Sequence, residues 1–534
     1  MQSYALTIDK FLDHAAKWSG EREIVTGDAG KTAQRISYAA LRERANRMSG
    51  ALAAIGLRFG DCVGTLAWNT QQHLEIYFAT MGAGLVCHTL NPRVSAAHLA
   101  AMINEAENRA LAVSANLTSL LDDVLPHCPC VENVILLDDA IVGRSARIHR
   151  ASVWTYEALL EAHGAAVAWG GFDENAAAGL CYTSGTTGKP KGVLYTHRSN
   201  YLHTLRALQA DALAVTREDV VLVAVPMFHA NGWGLPFSAP AVGAKLVLPG
   251  RHTDGASLAA LIRDEGVTFA AGVQTVWLGL LDHLDANGGE TPSLQRVLIG
   301  GSKCPDALIE RMEHRLQARV QTSWGMTELS PCGTMSSPSI ATPLATRASG
   351  RPPMGLDLKL TDAHGATLAR QRGVVGHLKV KGASVVDRYF RAGEDELDAE
   401  GYFDTGDLAQ IDAEGNLAIC GRSKDLIKSG GEWINPAEIE EIIGAQPGVG
   451  LVAVIARRDA KWGERPLIIV QGQKGETIDT KALLRSLRGK VPDWWIPDQV
   501  VETDAMPLAA TGKIDKTQLR ANYAEREPPA GANR

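Results

Sequence analysis

The residues best suited to chemistry lie in one stretch of eleven, Tyr182-Thr-Ser-Gly-Thr-Thr-Gly-Lys-Pro-Lys-Gly192. Three glycines, four serine or threonine hydroxyls and two lysines make a loop rich in donors that can close around a polyphosphate without Cβ obstruction. It is not a Walker loop: the spacing G-x-x-x-x-G-K-[ST] fails in every register, and Pro190 would interrupt the helix that such a loop opens. Taken alone, a surface turn explains it better. A second glycine signal, Gly448-Val-Gly450-Leu-Val-Ala453, matches a dinucleotide fingerprint loosely. Its β-rich residues follow the glycines instead of preceding them, so it reads as a turn before a strand.

Further constellations follow in order: Pro226-Met-Phe-His-Ala-Asn-Gly-Trp233, Gly300-Gly-Ser302, Trp324-Gly-Met-Thr-Glu328, Tyr402-Phe-Asp-Thr-Gly-Asp407, Gly421-Arg-Ser-Lys-Asp425, Lys428-Ser-Gly-Gly-Glu432 and Thr511-Gly-Lys513. With the loop at 182–192 they resemble, almost letter for letter and across nearly the whole chain, the motifs of the adenylate-forming superfamily. That superfamily includes acyl-CoA synthetases, peptide-synthetase adenylation domains and beetle luciferases.

The resemblance implies an ATP-dependent, AMP-forming acid:CoA ligase that uses ATP, Mg2+ and CoA. Thr183, Ser184, Gly185, Thr186, Thr187, Gly188 and Lys189 would wrap the phosphates. Gly300, Gly301 and Ser302 would flank adenine together with Trp324, Gly325 and Met326, while Asp407 and Arg422 would hold the nucleotide. Lys513 resembles the catalytic lysine, Thr327 an α-phosphate contact, and Glu328 the magnesium ligand, joined by a hydroxyl from Thr186 or Thr187. Preorganised cations and donors are what phosphoryl chemistry demands, because charge accumulates on the phosphates.

The acyl pocket is expected from His229, Asn231, Gly232, Trp233, Gly301, Trp324 and Pro331, with His229 counted among the catalytic group as well. No Asp or Arg falls at these positions, which favours an uncharged short-to-medium acid over an amino acid, whose ammonium would need a carboxylate. The pairing of Phe-His-Ala-Asn-Gly-Trp with Lys-Ser-Gly-Gly-Glu-Trp most resembles medium-chain fatty acyl-CoA ligases and 3-methylmercaptopropionyl-CoA ligases, so 3-(methylthio)propionate is a candidate substrate. Lys424 matches the family's hinge, and Lys428, Ser429, Gly430, Gly431, Glu432 and Trp433 form the loop expected to face CoA. The alternatives are a luciferase-like adenylating oxygenase and an ADP-forming phosphoryl-transfer enzyme.

These residues need a scaffold, and the texture of the chain supplies an α/β one. Amphipathic stretches such as Ser37 to Leu57 alternate with apolar runs such as Cys62 to Ala67 and Leu85 to Leu90 over the first 170 residues. A second such set runs from Asn175 to about Ala345, with strands expected at Val220 to Val225, Lys245 to Leu248 and Arg296 to Ile299. From Gly350 shorter, valine-rich segments suggest a small β-rich subdomain. From Arg422 a compact α+β unit follows, with a helix from Pro436 to Ile443 capped by Asn435 and a capping-box Glu438. The expected division is an N-terminal domain over 1–422, built of two α/β subdomains and a β-rich one, and a mobile C-terminal domain over 423–534.

Composition limits the partners. Lys plus Arg number 53 against 60 Asp plus Glu, a net charge of -7, which speaks against a nucleic-acid binder. Hydrophobic residues are 45% and charged residues 21%, an ordinary globular balance. No window reaches 18 apolar residues and the N-terminus lacks a signal pattern, so the expectation is a cytoplasmic protein without a membrane span. Eight scattered cysteines suit buried thiols better than a disulfide framework, and the His127, Cys128, Cys130 cluster lacks a second pair for zinc. A homodimer is possible from the resemblance, with no interface signature of its own.

Overall fold

The computed structural model describes residues 1–137, 147–183, 190–338, 348–473, 476, 478–509 and 512–524. Four sheets organise them. The first has eight strands in the order Cys332–Met335, Arg319–Gly325, Arg296–Gly300, Phe269–Val273, Val220–Val223, Lys245–Leu248, Glu23–Asp28 and Lys31–Ser37, parallel except at its two ends. The second also has eight, in the order Gly192–Thr196, Ala177–Tyr182, Val86–Thr89, Cys62–Leu66, Ala110–Val113, Asn133–Leu136, Ala151–Thr155 and Arg147–Ile148.

This corrects the chain-local grouping. Strands 23–37 leave the first segment to border the sheet of residues 220–335, and strands 177–196 return to border the sheet of the first segment. Both edges are invisible to a reading by neighbourhood because β pairing is set by shared burial, not by proximity in sequence.

Parallel strands read as continuous apolar runs because both faces are covered. Helix Gln71–Gly82 is buried along its whole length, and it lies between the two large sheets. Leu74, Tyr77, Phe78 and Met81 meet Ile24, Val221, Leu246 and Phe269 of the first sheet, while Ile76 and Ala79 join the core of the second with Val63 and Ala112. The outer face of the first sheet is covered by helices Gly255–Glu265, Gln274–Asn287 and Asp306–Leu316 through Leu261, Leu281 and Met312. No helix among the described residues is long and apolar enough to cross a membrane.

The third sheet is a four-stranded antiparallel meander, Leu356–Thr361, Val375–Gly382, Phe403–Ile411 and Leu417–Arg422. The fourth holds Ile427–Ser429, Glu432–Ile434, Val449–Asp459, Gly463–Gly472 and Val500–Glu502. The chain changes sheet across the short turn Ser423–Asp425. Helix Pro436–Gly444 is capped by Asn435, whose Oδ1 accepts from Ala437 N–H at 3.1 Å. The capping box takes another form than expected: Glu438 accepts from the Asn435 side-chain amide at 3.0 Å, not from its backbone. Gly448, at φ +77, turns the chain into strand Val449–Asp459, as the order of its glycines and apolar residues required.

Candidate functional site

A cavity of about 600 Å³ opens where the carboxyl ends of the first large sheet, the meander and the C-terminal unit converge. Among the residues expected to act, Thr183, His229, Trp233, Gly301, Trp324, Gly325, Met326, Thr327, Glu328, Pro331, Arg422, Lys424 and Lys513 line it.

Lys513 enters from the C-terminal unit. Its side chain packs on Gly301, where a Cβ would stand 3.2 Å from Lys513 Cε, and Gly301 holds φ +90, so glycine is required there on both counts. The preceding Gly512 offers its carbonyl to the Thr275 hydroxyl at 3.4 Å. Burial pushes the Lys513 pKa down to about 8, reinforced by the nearby Arg422 charge and opposed by Asp407 and Glu328. Beside the cavity, Lys303 and Glu441 join the two parts of the chain at 2.7 Å.

Glu328 sits on the one-turn helix Thr327–Leu329 that ends strand Arg319–Gly325. It is buried, and burial raises its pKa against the opposing hydrogen bond from Tyr389. The Thr327 carbonyl accepts from Tyr195 OH at 2.7 Å, which ties the turn to the phosphate hairpin. That hairpin pairs Tyr182 with Gly192 and closes with Thr183 N–H donating to Lys191 O at 2.9 Å. Ser184, Gly185, Thr186, Thr187, Gly188 and Lys189 lie outside the described residues, as does Thr511.

Asp407 is placed beneath the cavity, not on its wall. Trp324 Nε1 donates to one of its oxygens at 2.8 Å and Arg422 Nε to the other at 2.7 Å, Arg422 being its direct partner across adjacent strands. Burial raises its pKa, with Arg422 and then Trp324 opposing. Each carboxylate oxygen retains a free lone pair for a further donor.

Another part of the cavity is shaped by an unusual turn. Ala230, Asn231, Gly232, Trp233 and Gly234 all have positive φ, between 39° and 76°. Ala230 and Trp233 are neither glycine nor asparagine, and a left-handed residue of that kind costs about 1–2 kcal/mol. The turn brings Trp233 into the cavity with its ring against the strand end at Gly300, where a Cβ would stand 3.1 Å from the indole and 2.4 Å from Ser323 Oγ. Asn231 is buried behind the wall and accepts from the Cys181 thiol at 3.5 Å. Neither Asn231, Gly232, Gly300 nor Ser302 lines the cavity. Burial and the neighbouring Lys513 charge push His229 down to about 4, so it is neutral near pH 7.

The hairpin carrying Lys428, Ser429, Gly430, Gly431, Glu432 and Trp433 stands apart from the cavity wall, with Lys428 Nζ over the exposed Trp433 ring at 5.5 Å. Lys424 lines the cavity, and burial lowers its pKa. Lys191, Ser323, His377, Tyr389 and Ser423 also line the site and were not singled out from sequence. Lys191 lay inside a quoted motif, whereas Tyr389 and His377 carry no local signal.

Residues 11–390 match the AMP-binding enzyme family and residues 438–513 its C-terminal domain. The 3-methylmercaptopropionyl-CoA ligase of Ruegeria lacuscaerulensis is 40% identical over 533 residues, 98% of this chain and 98% of the relative. The medium-chain-fatty-acid–CoA ligase of Ectopseudomonas oleovorans is 40% identical over 533 residues, 98% of this chain and 97% of the relative. Among solved structures, ATP-bound MatB from Rhodopseudomonas palustris superposes with a TM-score of 0.83 at 26% identity, covering 98% of this chain and 99% of that one. An anthranilate CoA ligase in complex with anthranoyl-AMP shares the fold at a TM-score of 0.88 and 21% identity, covering 98% of each chain. With the ordered motifs, the shared fold and relatives that match end to end, this chain belongs to the AMP-binding enzyme family, as an AMP-forming acyl-CoA ligase.

Proposed function

We propose that this ligase activates a small or medium-length uncharged carboxylic acid, with 3-(methylthio)propionate and medium-chain fatty acids as the leading substrates. In the first half-reaction a carboxylate oxygen of the acid attacks the α-phosphorus of ATP, the bond to the bridging oxygen breaks, and pyrophosphate leaves. In the second, the CoA thiolate attacks the acyl carbon and AMP leaves with the bonding pair.

The observation that carries this reading is one cavity whose wall gathers the charged and polar Lys513, Arg422, Thr327 and Glu328 together with His229, Trp233, Val273 and Cys332. Lys513 bridges the attacking carboxylate and the α-phosphate, where a fixed cation lowers the barrier most. Asp407 and Arg422 hold the ribose from below. Neutral His229 donates or accepts a hydrogen bond at the carboxylate without adding charge.

Glu328 also fits a magnesium ion. It is a buried hard-oxygen donor with no cation within ion-pair distance among the described residues. When bound, the ion would neutralise charge on the phosphates; Thr187 is the second proposed ligand. The domain division at 422, with Lys424 as hinge, and the role of the Lys428–Trp433 hairpin in meeting CoA belong to the same reading: the pose seen here presents Lys513, and rotation about residues 423–425 would bring the hairpin to the site.

The apolar lining near Trp233 supports an uncharged acyl group, since a buried ammonium or second carboxylate would find no partner there. The test is a panel of straight-chain, thioether, aryl and amino acids scored by kcat/KM with CoA, following AMP release. A clear preference for aryl or amino acids rejects the proposed substrate class. Release of ADP would reject AMP-forming chemistry itself.

A further inference from the structure

Glu328 and Lys191 come from distant parts of the chain, and a single loop holds both. Residues 385–396 run from the meander across the mouth of the phosphate hairpin. Val386 N–H donates to the Glu328 carbonyl at 2.9 Å, and Phe390 N–H donates to the Gly192 carbonyl at 2.7 Å. The approach at Gly192 is close: a Cβ there would stand 2.9 Å from Phe390 Cβ.

Between these anchors, Tyr389 touches both functional groups. Its hydroxyl donates to Glu328 Oε1 at 2.8 Å, and the Lys191 ammonium lies 4.1 Å from the centre of its ring. Glu396, on the same loop, holds Lys191 from the other side at 3.4 Å. The ring is fixed in turn: it meets Phe403 edge-on at 6.3 Å, and it packs with Val386 against Cys181, Val193 and Tyr195.

A carboxylate offers about four lone-pair directions, and a single fixed donor on one oxygen selects the rotamer and leaves the other oxygen for a cation. An aromatic face attracts an ammonium without neutralising it, and together with the Glu396 carboxylate the ring fixes the direction of Lys191. We infer that Tyr389 is a positioning residue for adenylation, orienting Glu328 toward a divalent cation through its hydroxyl and Lys191 toward the polyphosphate through its ring. This rests on the reading of the cavity as an ATP site.

The alternative is that Tyr389 merely fills space, and substitution separates the two. Tyr389→Phe removes one oxygen and keeps the packing; Tyr389→Leu removes the ring face as well. Mn2+ serves as the probe, titrated by electron paramagnetic resonance into the full-length enzyme with α,β-methylene-ATP and without acid or CoA. Tyr389→Phe is expected to weaken Mn2+ binding about five- to tenfold while leaving the affinity for the analogue without metal unchanged. Tyr389→Leu is expected to weaken both. In turnover, the Mg2+ concentration for half-maximal pyrophosphate exchange should rise in Tyr389→Phe in parallel, with thioester formation from supplied acyl-AMP unchanged.

Unchanged Mn2+ affinity in Tyr389→Phe, or equal loss of both half-reactions, overturns the inference. Should Tyr389→Leu fail to fold, Tyr389→Phe alone decides. Failure of the ligase reading would be seen separately, as absence of pyrophosphate exchange in the wild type with every acid tried.

Discussion

The ammonium of Lys513 is enclosed by protein and lies near another cation, Arg422. Its pKa of about 8 against an ordinary 10.5 means that holding the proton there costs about 3 kcal/mol. The sign follows directly. The docked state binds the proton less tightly than water does, so between pH 8 and 10.5 docking of the lysine becomes more favourable as pH rises. Catalysis needs the charged form, so kcat/KM for ATP in pyrophosphate exchange is expected to be level up to about pH 8 and to fall about tenfold per pH unit above it. Lys513→Arg should move that limb to higher pH. Lys513→Ala should lower adenylation about 10²–10³-fold while thioester formation from supplied acyl-AMP persists, and equal loss of both would contradict this assignment.

At the scale of elements, the left-handed turn at 230–234 and the end of strand Arg296–Gly300 together close the acyl side of the cavity. Strain stored in a turn at a site persists only where its surroundings fix it, and here the Trp233 carbonyl is met by the Cys332 thiol at 3.7 Å and its ring by Gly300. Replacing Trp233 by Leu is expected to raise kcat/KM for decanoate relative to butanoate by about tenfold or more, measured across the straight-chain series; an unchanged ratio would place the length limit elsewhere. Lys513, Glu328, Asp407 and Trp233 were reached through the resemblance of their short motifs to a known family, and the structure brings Lys513, Glu328 and Trp233 to one cavity with Asp407 behind its wall. What was not legible is instructive. Tyr389 acts through a contact across 61 positions of sequence and has an unremarkable neighbourhood, Asp387-Arg-Tyr-Phe390. The positive φ values of Ala230 and Trp233 contradict their intrinsic preferences, so only tertiary contacts could impose them. The apolar runs at Cys62 to Ala67, Leu85 to Leu90, Val220 to Val225, Lys245 to Leu248 and Arg296 to Ile299 fall on strands because they are continuous, but the edge strand Lys31–Ser37, exposed over five of its seven residues, gave no such run.

For the whole molecule, the C-terminal unit meets the rest through contacts that include the exposed Lys303–Glu441 pair, the Gly512–Thr275 hydrogen bond and the Asn435 side-chain amide donating to the Cys420 carbonyl at 2.8 Å. An exposed ion pair is worth about 0–1 kcal/mol, which suits the proposed rotation of the C-terminal unit. Lys303→Glu is expected to slow adenylation about two- to fivefold with little effect on thioester formation, and adding Glu441→Lys should restore it; a double variant as slow as the single would remove the pair from the docking interface. The exchange of edge strands between the two large sheets bears on how the protein is made. Strands 23–37 border a partner, Lys245–Leu248, that is synthesised 208 residues after them (245 − 37). At about 5–20 residues per second that interval lasts roughly 10–40 s, during which the emerging N-terminus carries an unpaired, β-prone edge. The second sheet likewise waits for residue 196 before its far border closes. The second sheet can therefore close once residue 196 has emerged, whereas the first cannot pair its border strands 23–37 until residues 245–248 follow.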